Sequence, residues 1–319
     1  MKRLTAILLL ISLALGLAAC GGEPEPTPDP HEGMIYVNTG AGEEWVDEAE
    51  GVPVSQLSES DFETGEDGIP VYTGDVYETR LGIDVSFYQG DIDWQAVADA
   101  GIEFAMIRCG YRGSSEGELF VDEKFEQNMQ GAIDAGLDVG VYFFSQSMGA
   151  IEAAEEALFV LDLIKDYDIS MPVAFDWEPL EDSRAEGIND EELTASALVF
   201  CEMIKDAGYT PCVYFYRYIA YHDYDLSRLA DFLFWIGAPG SAPDFYYEAA
   251  IWQFSFTSRI DGIDADVDMN LQFYAPGADP SFPGPEPSPV ETEEPAESSE
   301  PAESPEPAES PEPAEETDG

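Results

Sequence analysis

The chain has 319 residues, and its 67 acidic side chains face only 12 basic ones, for a formal net charge of −55. Residues 21–78 hold sixteen acids and residues 279–319 fourteen, both without a Lys or Arg, while residues 79–278 keep 37 acids against ten bases. That balance excludes nucleic acid as a partner, because phosphate binding needs Lys and Arg to neutralise it.

Lys2 and Arg3 precede a short apolar run from Leu4 to Leu17, followed by small residues. This is the pattern of a secretory signal over residues 1–19, too short and wrongly flanked for a membrane span. The ending Leu17-Ala18-Ala19-Cys20 resembles the lipobox of bacterial lipoproteins. The resemblance implies a lipid-modified Cys20 at the mature N-terminus and an anchor on the outer face of the cell membrane.

Residues 20–78 open on Glu23-Pro24-Glu25-Pro26 and read as an acidic tether; residues 277–319, with repeated Pro-Ala-Glu-Ser, read as a disordered tail. Too little apolar surface is available there to offset the entropy of ordering. A strand or two is expected within 34–78, near Met34-Ile35-Tyr36-Val37 and Val71-Tyr72. Besides Cys20, the chain has Cys109, Cys201 and Cys212. Cys201 and Cys212 are either a pair or two small buried residues. Without a Cys-x-x-Cys motif, no structural zinc is expected.

Residues 79–276 form the expected globular domain. Apolar, β-rich runs mark strands at 81–86, 104–109, 139–145, 172–178, 211–216, 232–236, 250–254 and 265–271. Helical spacing predicts helices at 94–100, 122–135, 151–165 and 190–207, with Gly101, Gly136 and Gly208 placed as C-terminal caps. Strand–helix alternation that fades in the last third predicts an α/β fold, an irregular TIM-like barrel. In such barrels functional side chains gather at the C-terminal ends of the strands. Asp84, Asp176, Glu178 and Asp268 all occupy strand segments, where acids are rarely buried without a reason.

Asp176-Trp177-Glu178 carries the sharpest signal. Alternation on a strand points both carboxylates one way and Trp177 the other. Two such neighbours do not ionise independently, so one retains a proton near neutrality, as a general acid requires.

The string Gly82-Ile83-Asp84-Val85-Ser86-Phe87-Tyr88-Gln89-Gly90, with Ile92-Asp93-Trp94, resembles the opening of glycoside hydrolase family 25, the Chalaropsis-type lysozymes or N-acetylmuramidases. The resemblance continues through Phe104-Ala105-Met106-Ile107-Arg108, Val141-Tyr142-Phe143-Phe144, Phe175-Asp176-Trp177-Glu178, Val213-Tyr214, Trp252-Gln253-Phe254 and Val267-Asp268-Met269-Asn270. It implies five β/α units followed by three strands with little helix, peptidoglycan glycan strands as substrate, and hydrolysis of the β-1,4 bond from N-acetylmuramic acid to N-acetylglucosamine by a monomer without metal or cofactor. By the same resemblance Glu178 is the proton donor and Asp176 its partner. Asp84 and Asp268 match two further acids, and Tyr142, Tyr214 and Trp235 match aromatic wall positions. The chain departs from the family at Ile236-Gly237-Ala238-Pro239, where a wall Tyr is usual.

Two other motifs fail. Asp264-Ala265-Asp266-Val267-Asp268 begins like a calcium loop but has Met269 at the sixth position and Ala275 at the twelfth. Gly113-Ser114-Ser115-Glu116-Gly117 fits a nucleophile elbow in letters only, since the chain has just His31 and His222 as candidate bases. The competing functional readings are a catalytically silent peptidoglycan-binding surface lipoprotein and a chitinase-like enzyme. A silent binder has no need of a proton donor, and a chitinase-like enzyme would carry further acids just before Asp176.

Overall fold

The computed structural model describes residues 29–65, 68–282 and 284–285. The signal segment 1–19, Cys20 and the tail from residue 286 onward lie outside them. The chain enters through two antiparallel hairpins, β1 (Met34–Asn38) with β2 (Glu43–Asp47), and β3 (Phe62–Thr64) with β4 (Pro70–Tyr72). It continues through β5 (Glu78–Val85), α1 (Trp94–Asp99), β6 (Phe104–Arg112), β7 (Leu119–Val121), α2 (Phe125–Asp134) and β8 (Asp138–Ser145). Next come α3 (Ala150–Ile164), β9 (Val173–Trp177), α4 (Asp190–Asp206) and β10 (Pro211–Tyr216). Two short helices, α5 (Arg217–His222) and α6 (Leu226–Leu229), lead to β11 (Leu233–Gly237), β12 (Ile251–Ser258) and β13 (Val267–Tyr274).

Eight strands close a barrel in the order β5-β13-β12-β11-β10-β9-β8-β6, and β5 pairs with β6 to complete the ring. All neighbours are parallel except β13, which is antiparallel to both β12 and β5. The strands are buried on both faces, which explains their near-continuous apolar runs. Phe104, Met106, Met171, Ala174, Cys212 and Ile251 fill the interior. Ile83, Val141, Phe143, Phe175 and Phe215 point outward, into the layer where Met129, Val160 and Phe200 of the helices pack. Gly82 makes the filling possible, since a Cβ there would sit 2.3 Å from the Phe104 ring. Gly101, Gly136 and Gly208 follow α1, α2 and α4 with φ of 92°, 83° and 94°, the left-handed caps expected of them.

The lower end of the barrel is stoppered by polar groups. Arg80 is ion-paired with Asp138, donates to Gln272 Oε1 at 2.5 Å, and reaches the Pro280 carbonyl at 3.2 Å. Phe282 N donates to the Ser170 carbonyl at 2.7 Å and Gly284 N to that of Ile169 at 2.9 Å. The expected tail boundary at 277 is therefore corrected: residues 277–282 and 284–285 cross the foot of the barrel and pair with it.

The tether expected over residues 20–78 is corrected from residue 29 onward. Ile35, Val37, Val46 and Val52 are buried in the main core. Glu248 N donates to the Pro53 carbonyl at 2.8 Å, and Ala49 N to the Tyr247 hydroxyl at 2.6 Å. The Phe62 ring lies 5.5 Å from that of Trp252 and 6.2 Å from that of Phe273, and Tyr72 lies 6.1 Å from Phe273. The physical reason lies in the barrel: β12 and β13 carry outward aromatic residues but no following helix to bury them, and the N-terminal segment supplies that cover.

Cys109, Cys201 and Cys212 are buried free thiols. Cys201 lies in the outer helix-facing core and Cys212 inside the barrel, so a strand separates the two side chains.

Candidate active site

The register of the barrel brings the acids to one mouth. Asp84, next to last in β5, lies directly across from Asp268, the second residue of β13. Asp176 sits beside Tyr214 on β10 and Phe144 on β8, and Glu178 follows immediately after β9. Trp177 turns outward into the main core, as alternation requires. A pocket of about 250 Å³ is lined by all four acids together with Tyr88, Arg108, Tyr142, Tyr214, Trp235 and Gln253.

Two amides organise the floor. Asp84 Oδ2 accepts from Gln253 Nε2 at 2.9 Å and from Asn270 Nδ2 at 2.7 Å. Gln253 Nε2 also lies 3.3 Å from Asp268 Oδ2, and its Oε1 accepts from the Tyr214 hydroxyl at 2.7 Å. Trp235 Nε1 donates to Asn270 Oδ1 at 2.8 Å. Each amide thus links an aromatic donor to a carboxylate, which fixes both orientations.

Burial pushes Asp84 up to about 6, while its bonds from Asn270 and Gln253 hold it down. Burial, and then the charge of Asp84, raise Glu178 to about 7. Asp268 rises to about 8 through burial, then Asp84 and Glu178. Asp176 is raised well above its ordinary value, first by burial and then by Glu178 and Asp84. The coupling expected within the Asp176–Glu178 pair falls on Asp176, which Glu178 helps to raise. Glu178 is instead raised by its burial and by Asp84.

Arg108 is the cation lining the pocket. Its Nε donates to buried Asp122 at 2.8 Å, and its guanidinium lies 5.0 Å from the Phe87 ring centre and 5.4 Å from that of Tyr88. Among the described residues, Arg108 Nη2 and Asp176 Oδ1 are buried without a hydrogen-bond partner. Unpaired buried polar atoms are costly and mark positions where an occupant of the pocket would complete the network. A half-buried carboxyl poised near neutrality among fixed acids can donate a proton to an oxygen in that pocket.

The model of Glycosyl hydrolases family 25 matches residues 83–263, more than half of the chain, from the end of β5 through β12. The chain belongs to glycosyl hydrolases family 25. Among its curated relatives, the autolytic lysozyme of Clostridium acetobutylicum is 26% identical over 190 residues, 59% of this chain and 54% of that protein. Lysozyme M1 of Streptomyces globisporus is 24% identical over 281 residues, 82% of this chain and 85% of that protein. The chain therefore spans about half the length of the first relative and most of the second. The solved structure of a family 25 glycosyl hydrolase from Bacillus anthracis superposes with a TM-score of 0.52 at 25% identity, covering 62% of this chain and 90% of that one.

Within this family 25 barrel, the seven pocket residues expected from the sequence are brought together. Their depths differ. Tyr142 is half-buried, whereas Trp235 is 2% exposed and packs with Phe104 and Met106, so it forms floor more than wall. Arg108, Gln253 and Asn270 were quoted in the resemblance but not singled out as site residues. Alternation supplies the missing signal: Gln253 shares the parity of Ile251, and Asn270 that of Asp268, so both point inward. Cys20 falls outside the described residues.

Proposed function

We propose that this chain is a peptidoglycan muramidase, a lysozyme that hydrolyses the β-1,4 bond between N-acetylmuramic acid and N-acetylglucosamine, with Glu178 as proton donor. The observation that carries this reading is the Glu178 carboxyl, half-buried at the barrel mouth and raised to about 7. It is protonated below that value yet acidic enough to release the proton to a glycosidic oxygen. As the proton moves to that oxygen, the bond to the muramic acid carbon breaks and water completes the hydrolysis.

The other groups take supporting roles. Asp176 Oδ1, buried without a protein partner, finds one in the 2-acetamido group of the sugar. Asp84 is held by Gln253 and Asn270 and offers fixed negative charge to the developing cation, and Asp268 assists across the ladder. Tyr142 and Tyr214 offer ring faces to sugar C–H surfaces, with Trp235 beneath them. We read the barrel as five β/α units followed by three strands, acting as a monomer without metal or cofactor. We read residues 1–19 as a lipoprotein signal and Cys20 as the lipid-modified residue that holds the enzyme outside the cell membrane, where wall glycan is within reach.

The test is direct. The whole protein should release new reducing ends from peptidoglycan, those ends should be muramic acid, and Glu178→Gln should lower the rate by about 10²-fold or more. Retention of glycan without cleavage by the wild-type protein would leave only a wall-binding protein. Reducing ends of N-acetylglucosamine would move the cleaved bond.

A further inference from the structure

The last residue of β8, Ser145, is paired with Trp177 across the parallel ladder, so the next step sets Gln146 beside Glu178. Glu178 stands one residue past β9, and Pro179 after it has no N–H to give. The Glu178 carbonyl accepts from Gln146 Nε2 at 2.8 Å, and the same nitrogen lies 3.0 Å from the Ser145 carbonyl. Gln146 is fully buried, and its Oε1 has no partner among the described residues. An apolar side chain of equal length would fill that space without a stranded oxygen, so the Nε2 bond is what glutamine adds there.

The link runs both ways. Arg184, in the connection from Glu178 to α4, donates from Nη1 to the Gln146 carbonyl at 3.2 Å. Its two terminal nitrogens also grip the Glu152 carboxylate of α3, each at 2.6 Å, and Glu152 Oε2 accepts from Met148 N at 2.9 Å. Arg184 N donates to the Ser114 carbonyl at 2.8 Å. On the other flank, Ser145 Oγ donates to buried Glu156 at 2.7 Å and accepts from Ser147 N at 3.1 Å. The Gln146 side chain thus holds the start of the Glu178–α4 connection, and the middle of that connection holds the Gln146 main chain. A forked arginine–carboxylate pair fixes orientation as well as distance, so the closed circuit is stiff.

We infer that Gln146 is a positioning residue for the Glu178 carboxyl, with Arg184 as the clamp that keeps it in place; this rests on Glu178 as proton donor and goes beyond it. Among the described residues no hydrogen bond fixes the Glu178 carboxyl itself, on which burial and the charge of Asp84 act. Its place at the mouth therefore depends on where its main chain is held. A displacement of about 1 Å in a reacting group can lower the rate by about 10²-fold. Supporting hydrogen bonds one layer behind such a group are what prevent the displacement.

Two variants test this in the whole protein: Gln146→Met, which removes the donor and keeps the bulk, and Arg184→Met, which releases the clamp from a partly exposed position. Each is assayed on the alternating tetrasaccharide, whose departing sugar needs a proton, and on a dinitrophenyl glycoside of the disaccharide ending in N-acetylmuramic acid. Dinitrophenolate leaves as an anion and needs no proton, so its departure does not depend on where the donor stands. For Gln146→Met, kcat/KM should fall about tenfold on the tetrasaccharide and less than about twofold on the dinitrophenyl glycoside. Arg184→Met should lower the tetrasaccharide value alone, by about threefold, and it carries the decision if Gln146→Met does not fold. Glu178→Gln is the reference and should show the same split more strongly. If it does, an equal fall on both substrates, or no fall on either, overturns the positioning role and leaves Glu178 as the donor. If Glu178→Gln shows no split, the donor assignment fails and the positioning role fails with it.

Discussion

Asp268 faces Asp84 across the β13–β5 ladder, and a single amide, Gln253 Nε2, lies 2.9 Å from one carboxylate and 3.3 Å from the other. Burial, and then the charges of Asp84 and Glu178, favour a proton on Asp268, which is pushed up to about 8.

Stability should therefore depend on pH through this residue. An Asp in the unfolded chain titrates near 3.8, and Asp268 in the fold near 8. Between these values the folded state binds more protons, so stability is fully present below about pH 4 and is lost as pH rises through about 8. Asp268→Asn removes that loss. It should raise stability relative to wild type at pH 8 by about 1 kcal/mol, roughly 2–4 °C in Tm, and give no gain at pH 4. Thermal melts at the two pH values measure the difference, and an equal change at both would mean Asp268 does not carry a proton in the fold.

Activity should follow the proton on Glu178. The donor form is present below its value of about 7, so kcat should fall as pH rises through neutrality. Asp84→Asn removes the charge that adds to the effect of burial, and should move this alkaline limb to lower pH in whatever activity remains. Asp176→Asn should move it less, because burial and then the charge of Asp84 are what raise Glu178. A larger shift for Asp176→Asn than for Asp84→Asn in pH–rate profiles would reverse the electrostatic ordering of the site.

Gly237, at the end of β11, lies against the hydrogen bond between Tyr214 and Gln253. A Cβ there would lie 2.7 Å from the Tyr214 hydroxyl and 3.2 Å from Gln253 Oε1. Gly237→Ala should therefore strain or break the Tyr214–Gln253 hydrogen bond, costing about 1–3 kcal/mol in stability. The loss in kcat should be about 10- to 100-fold, since displaced catalytic groups are costly even at small shifts. Unfolding curves and kinetics on the same samples separate the two effects, and a variant with wild-type kcat would show that this bond does not position the site.

The N-terminal segment should behave as part of the fold. A protein starting at residue 79 uncovers the outward faces of Trp252 and Phe273 and should melt well below the full chain. Phe62→Ala, which removes one ring from that contact, should cost about 1–3 kcal/mol, less than the range for a fully buried Phe. Equal melting temperatures for full and shortened chains would mean that residues 29–78 only rest on the barrel.

The barrel was legible because strands buried on two faces write unbroken apolar runs, such as Phe104-Ala105-Met106-Ile107, and because glycines punctuate the helix ends. Asp176 and Glu178 were legible because acids stand out in such runs. The hairpins were less so: Phe62 and Tyr72 sit among acidic residues, and their partners Trp252 and Phe273 are some two hundred positions away. No local period records a contact of that kind. The helix Arg217–His222 was missed because six residues rich in aromatics give too little periodicity. Gln253 and Asn270 needed the strand register before their direction could be assigned.

The packed interior beneath the acids has a consequence for proton traffic. Phe104, Met106 and Met171 occupy the space below, and Arg80 with its partners closes the foot, so solvent reaches the acid cluster from above. The hydrolytic water and the protons it trades with the carboxyls therefore share the entrance that the glycan itself uses.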